Sequence, residues 1–171
     1  TVLSQTVCGL LTFYVVWLVQ PYWGNEGVPL VWFGVLWAIQ SFVVALSSRF
    51  AHDAERRFGP HAVVLVLAAG PVVGYALMAW PGGAVGIVAA LTFGVCRGLN
   101  YVVLTDAMNA RVPAEFRATA NSVVSLTFRA GFILTGPLVG LAFDQLGMDW
   151  TLALLALVSL AAGLACLLPL A

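Results

Sequence analysis

The chain has 171 residues, of which 62% are hydrophobic and 8% charged, with a mean hydropathy of +1.02. An ordinary soluble domain carries about 25% charged residues, and no water-soluble fold of this length hides so much apolar surface. Its seven basic residues are all Arg and balance seven Asp plus Glu at a formal net charge of zero, so there is no basic field for nucleic acid and that class of partner is excluded.

Six apolar runs follow one another, each at least as long as the stretch that crosses a bilayer core as α-helix. The first covers about 3 to 20 and stops at Gln-Pro-Tyr-Trp-Gly-Asn-Glu-Gly, a turn-rich segment with interfacial aromatics. The second covers about 29 to 47. A charged stretch, 48 to 60, reads as a loop before the third span, about 61 to 80. Pro81-Gly82-Gly83 makes a tight connection to the fourth, about 84 to 105, and the polar stretch 106 to 117 is the next loop. The fifth runs from about 118 to 143, and the sixth from about 150 to 170. Short loops throughout predict one all-α polytopic bundle of six transmembrane helices over 1–171, with the lipid bilayer as its solvent.

Basic residues set the expected orientation. Loops 48–60 and 106–117 hold Arg49, Arg56, Arg57, Arg111 and Arg117, whereas the opposite loops hold Glu26, Asp144 and Asp149 and no basic residue. The positive-inside rule therefore puts the Arg loops and both chain ends in the cytoplasm of a cell (plasma or inner) membrane. A signal peptide is not expected, because the first run lacks a basic n-region and ends in Gln20-Pro21 rather than a small-residue cleavage site. The chain opens with Thr1 at the edge of a hydrophobic run, which predicts a preceding segment. Cys8, Cys96 and Cys166 lie inside spans at no metal or redox spacing and read as buried small residues.

Polar residues within the spans share faces. Asn121, Ser125 and Arg129 recur every four residues in the fifth span, and Gly136 and Gly140 continue that stripe as a Gly-x-x-x-Gly pattern that lets two helix backbones approach closely. In the fourth, Arg97, Tyr101 and Thr105 lie one turn apart with Asn100 on the flank. Gln5, Gly9 and Thr12 form a similar stripe in the first, and Trp37, Gln40 and Ser41 cluster in the second. Arg97 and Arg129 lie roughly 14 to 18 Å from the cytoplasmic edge at 1.5 Å per residue. A charge at that depth needs water, a partner or an anionic ligand, and no Asp or Glu falls within any span. These residues, Gln5, Gln40, Arg97, Asn100, Tyr101, Asn121, Ser125 and Arg129, are the candidate substrate pathway.

Three stretches carry a resemblance: Phe93-Gly-Val-Cys-Arg-Gly-Leu-Asn-Tyr, the segment from Asp106 to Ser122, and Gly136-Pro-Leu-Val-Gly-Leu-Ala-Phe-Asp-Gln-Leu-Gly. Together they resemble the C-terminal half of a major facilitator superfamily transporter, over the whole chain. That family's loop between helices ten and eleven has the pattern Asn-x-x-x-Pro-x-x-x-Arg-Ala-Thr-x-x-Ser, matched here by Asn109, Pro113, Arg117, Ala118, Thr119 and Ser122. The resemblance implies helices seven to twelve in a 3+3 inverted repeat, about 1–80 and 81–171, paired with an N-terminal six-helix half. It also implies cytoplasmic gate loops, with Asp53, Arg57 and Gly59 in one and Asp106, Asn109, Arg111, Glu115 and Arg117 in the other. Pairs such as Asp106 or Glu115 with Arg111 or Arg117 would close the inward gate. The family's Gly-x-x-x-Asp-Arg-x-Gly-Arg loop motif survives only as Arg57-Phe58-Gly59, with Arg56 in the Asp position and His52 in the first Gly position, so Asp53 and Glu55 stand as shifted substitutes. His52 and His61 read as solvated interface residues.

The expected function is half of a secondary active transporter that moves a small solute, anionic or carboxylate-bearing, by alternating access. The alternative is a complete six-helix transporter or channel acting as a homodimer. An enzyme is not expected: an intramembrane protease needs a Ser nucleophile and a His base within spans, and a lipid phosphotransferase needs carboxylates at metal spacing. No catalytic residue, metal or cofactor is anticipated.

Overall fold

The computed structural model describes residues 2–167, and the fold is all α. Six helices are long and apolar enough to cross a membrane: α1 Val2–Asn25, α2 Leu30–Arg49, α3 Ala51–Ala79, α4 Gly83–Asn109, α5 Ala114–Leu146 and α6 Met148–Cys166. Helix is the form that such sequences must take in hydrocarbon, where each backbone N–H and C=O needs a partner within its own segment.

The helices outrun the apolar stretches. α1 continues through Pro21 to Asn25 because Tyr22 and Trp23, each 1% exposed, are held in the core, and the chain turns only at Gly27, whose φ is +74°. Residues 48–60 are mostly helical rather than a loop. Only Phe50 departs from helix before α3 starts at Ala51, and Arg56 reaches back 2.9 Å to Asp53 across one turn. Charge made this segment read as loop, although charged residues suit a helix face that looks outward. The break falls at Gly59, with φ +82° and ψ 160°, ahead of Pro60. At the other end, α3 passes into α4 through a cis Trp80–Pro81 bond and two positive-φ glycines, Gly82 and Gly83. α5 extends to Leu146 and is stopped by Gly147 at φ +80°. The expected end of the sixth span, near Leu170, lies outside the described residues.

α3 lies along α6 and also packs on α4, α1 meets α4, α2 rests mainly on α4, and α5 rests mainly on α1. One core cluster joins Tyr14, Val19, Trp23, Tyr75, Phe93 and Leu152, and a second joins Cys8, Val63, Leu67, Cys96 and Val103. Cys8 and Cys96 are buried as small core residues, and Cys166 is half-buried. Across the core, the Tyr75 hydroxyl donates to the Leu11 carbonyl at 2.6 Å. The outer helices differ: none of the residues 117–146 is buried, and on α2 only Gln40 is.

Close backbone approach occurs at a Gly-x-x-x-Gly pair other than the expected one. A Cβ at Gly94 would lie 3.0 Å from Val43, and one at Gly98 would lie 2.7 Å from both the Ser47 Cβ and the Val44 carbonyl oxygen, so these two glycines let α2 seat on α4. Nothing lies within 4 Å of a Cβ at Gly140, and the atoms nearest a Cβ at Gly136 belong to the Phe132 ring of the same helix, at 3.3 Å. Those glycines instead border an apolar crevice with Tyr14, Trp17 and Leu18 of α1.

Candidate functional site

α4 changes form where its polar residues gather. It is α-helical from Leu91 to Leu99, widens into a π-turn over Asn100–Leu104, and resumes as α-helix at Thr105. Such turns loosen the backbone ladder and are frequent at functional sites. Arg97 stands just ahead of the π-turn, close to the middle of this 27-residue helix.

Opposite it, α1 presents Gln5, Gly9 and Thr12, which repeat at intervals of four and three and therefore share a face. Gln5 donates from Nε2 to the Thr105 hydroxyl at 2.8 Å, which ties α1 to α4. Gly9 leaves room for α5 and α4 together: a Cβ there would stand 3.3 Å from the Phe128 ring and 3.7 Å from Asn100 Nδ2. Phe128 meets Phe13 of α1 edge to face, with centroids 5.2 Å apart.

Between α1, α4 and α5 these residues line an open cavity of about 590 Å³. Gln5, Arg97, Asn100, Tyr101, Asn121 and Ser125 all line it, together with Thr6, Thr12 and Thr105. Its walls are Gly9, Phe13, Val124 and Phe128. Arg97 is the only charged residue in this lining among the described residues, and it makes no ion pair or hydrogen bond there. Asn121 points partly away, donating to the Arg117 carbonyl at 2.8 Å and to Asn109 Oδ1 at 3.2 Å. Three lining atoms buried from solvent have no hydrogen-bond partner: Gln5 Oε1, Thr6 Oγ1 and Asn100 Oδ1.

Two of the expected pathway residues lie elsewhere. Gln40 is buried where α2 meets α4, its backbone carbonyl facing Gly94. Arg129 is exposed on α5, where its Nε lies 3.4 Å from the Ser125 hydroxyl, and it lines a neighbouring cavity of about 610 Å³ with Phe13, Trp17 and Phe132. Thr6, Phe13 and Phe128 are lining residues that sequence reasoning did not single out. Phe128 follows Ser125 by three residues, so the same helical stripe that marked Asn121 and Ser125 contains it.

The two Arg-bearing turns meet at one end of the bundle. His52 Nε2 of α3 lies 3.3 Å from Asp106 Oδ2 of α4, and His52 Nδ1 lies 4.0 Å from Glu55, an arrangement that is ionic when the imidazole is protonated. Asp106 therefore has a partner on the other turn. Arg57 lies over the Phe58 ring at 5.7 Å, Arg111 donates to the Ala107 carbonyl at 3.2 Å, and Arg117 donates from Nε to the Val112 carbonyl at 3.3 Å. Glu115 is exposed, as is His61. Among the described residues no group of three or more His, Cys, Asp or Glu is placed to hold a metal ion. Comparison with known protein families, curated proteins and solved structures finds no match.

Proposed function

We propose that the chain is one six-helix half of a secondary transporter of the major facilitator type, multi-pass in a cell membrane with its Arg-bearing turns in the cytoplasm. Its α1, α4 and α5 form one wall of a solute pathway and rock against a second six-helix bundle. The solute is small and anionic. The observation that carries this reading is the mid-span cavity, polar on α1 and α4, with Arg97 unpaired in its lining. A cation at that depth on a lipid-facing surface would be costly, so the cavity is read as wet and its counter-charge as a passing anion.

Helix pairing adds support. α5 rests on α1 and α2 rests on α4, while α3 and α6 pair with each other. Exchange of α1–α3 with α4–α6 maps each of these pairs onto another or onto itself, as a 3+3 inverted repeat requires. The turns that hold Arg49, Arg56, Arg57, Arg111 and Arg117 share one end, and the inside placement follows from their charge.

The test is labelling with a membrane-impermeant maleimide in open membrane fragments. Ser125→Cys, at the cavity, is expected to react, and Leu138→Cys, exposed on the same helix, is expected to stay unmodified in lipid. Equal protection of both positions would remove the wet pathway.

A further inference from the structure

We propose that the segment joining α2 to α3 binds the headgroups of anionic phospholipids through two Arg–Phe pairs, Arg49 with Phe50 and Arg57 with Phe58. This rests on the multi-pass membrane placement above and not on the solute.

Length and helical period place the two pairs. α3 has 29 residues, about 43 Å of helix, which exceeds a hydrocarbon core of about 30 Å. The surplus is its charged start, residues 51–58, set off from the apolar remainder by the break at Gly59. His52, which meets Asp106 of α4, and its neighbour Glu55 mark the side of this start that looks at the bundle. At about 100° per residue, Arg57 lies about 140° round the helix from His52 and about 200° from Glu55, so it looks outward. Arg49, Phe50, Arg57 and Phe58 are all exposed.

Partners separate these two arginines from the other three in the Arg-bearing turns. Arg56 holds Asp53 at 2.9 Å, Arg111 donates to the Ala107 carbonyl, and Arg117 donates to the Val112 carbonyl. Arg49 and Arg57 have no protein acceptor among the described residues; each guanidinium lies over the ring that follows it, at 5.8 and 5.7 Å from the centroid. A ring occupies the guanidinium face and leaves the N–H edge open, and that planar fork matches two oxygens of a phosphate. Phe50 and Phe58, 50% and 66% exposed, put apolar surface beside each cation. Cation and ring together suit the boundary between headgroups and acyl chains, where a phosphate adjoins hydrocarbon. Charge selects the lipid class. Asp53, one turn before Arg57, is already held by Arg56, so the cations need an outside counter-charge. A zwitterionic headgroup carries its own ammonium beside its phosphate, whereas an anionic headgroup arrives unmatched.

The experiment is a lipid titration of the purified full chain in detergent, followed by native mass spectrometry. Its probes are dioleoylphosphatidylglycerol and dioleoylphosphatidylcholine. Phosphatidylglycerol is expected to bind more tightly, and the double variant Arg49→Gln with Arg57→Gln should weaken it about tenfold or more while phosphatidylcholine binding stays constant. Arg56→Gln removes a cation that already has a partner and should weaken phosphatidylglycerol less than either single change at 49 or 57. All three positions are exposed, and an unchanged Tm verifies that each variant folds. Inorganic phosphate at the lipid's concentration is expected not to compete. Equal affinities for the two lipids, or an affinity unmoved by the double variant, would overturn the proposal. So would an equal loss in Arg56→Gln, which would show a diffuse charge effect, and displacement by inorganic phosphate, which would show a soluble-anion site. Maleimide labelling at position 125 tests the solute pathway separately and is independent of each of these results.

Discussion

Gly98 of α4 lies directly against Ser47 of α2, so closely that a Cβ at Gly98 would stand 2.7 Å from the Ser47 Cβ and 2.9 Å from the Ser48 backbone nitrogen. The neighbour is backbone as well as side chain and cannot rotate away. Gly98→Ala is therefore expected to cost about 1 to 3 kcal/mol through overpacking, read as a lowered Tm in detergent. Gly140→Ala, which meets open space, should leave Tm unchanged or slightly raised. Equal effects of the two substitutions would contradict the seating of α2 on α4.

Tyr75 joins two helices through a buried hydroxyl that donates to the Leu11 carbonyl at 2.6 Å. Tyr75→Phe keeps the ring against Phe93, whose centroid lies 4.5 Å away with the planes tilted by 59°, and removes the donor alone. The expected loss is about 1 kcal/mol, measured by chemical or thermal unfolding in detergent. An unaltered midpoint would mean that this bond adds nothing to the α1–α3 contact.

Glu26 accepts the Gly83 N–H at 2.9 Å where α4 begins. The carboxylate caps an N–H that the helix cannot satisfy itself and sits at the positive end of its dipole. Glu26→Ala should destabilise the protein by roughly 0.5 to 2 kcal/mol, the usual range for loss of an N-terminal cap. Hydrogen exchange of the Gly83 amide gives a local readout: faster exchange in the variant is expected, and unchanged exchange would place its protection elsewhere.

His52 and Asp106 tie the two Arg-bearing turns, yet both side chains are more than half exposed. An ion pair of this kind is worth about 0.2 to 1 kcal/mol. Asp106→Asn should thus leave Tm nearly constant, while a gating role predicts altered labelling at Ser125→Cys from the cytoplasmic face. A large drop in Tm would assign Asp106 a structural role instead.

Six helices were legible because composition and length decide helix in hydrocarbon almost alone. Their ends were not. Ala51–Phe58 carries enough charge to look like loop, and Pro21 looks like a stop, but i,i+3 pairing at Asp53–Arg56 and burial of Tyr22 and Trp23 extend both helices. Glycine spacing was equally ambiguous. Gly94-x-x-x-Gly98 and Gly136-x-x-x-Gly140 are identical patterns, and only the neighbour that faces each pair separates a packing surface from an open crevice. Within the candidate site, helical period placed Gln5, Arg97, Asn100, Tyr101, Asn121 and Ser125 on polar faces, and those faces meet at one cavity. Gln40 carries the same kind of polar signal and lies at the α2–α4 contact, since tertiary pairing decides which polar residue faces a cavity.

The most direct test of alternating access is labelling of Ser125→Cys from each side of the membrane, in sealed right-side-out and inverted vesicles, with an impermeant maleimide. A pathway that opens in turn to both faces predicts modification from both, abolished in neither orientation, while Leu138→Cys remains unlabelled throughout. Reaction from one side alone would reduce the cavity to a fixed vestibule and contradict the account.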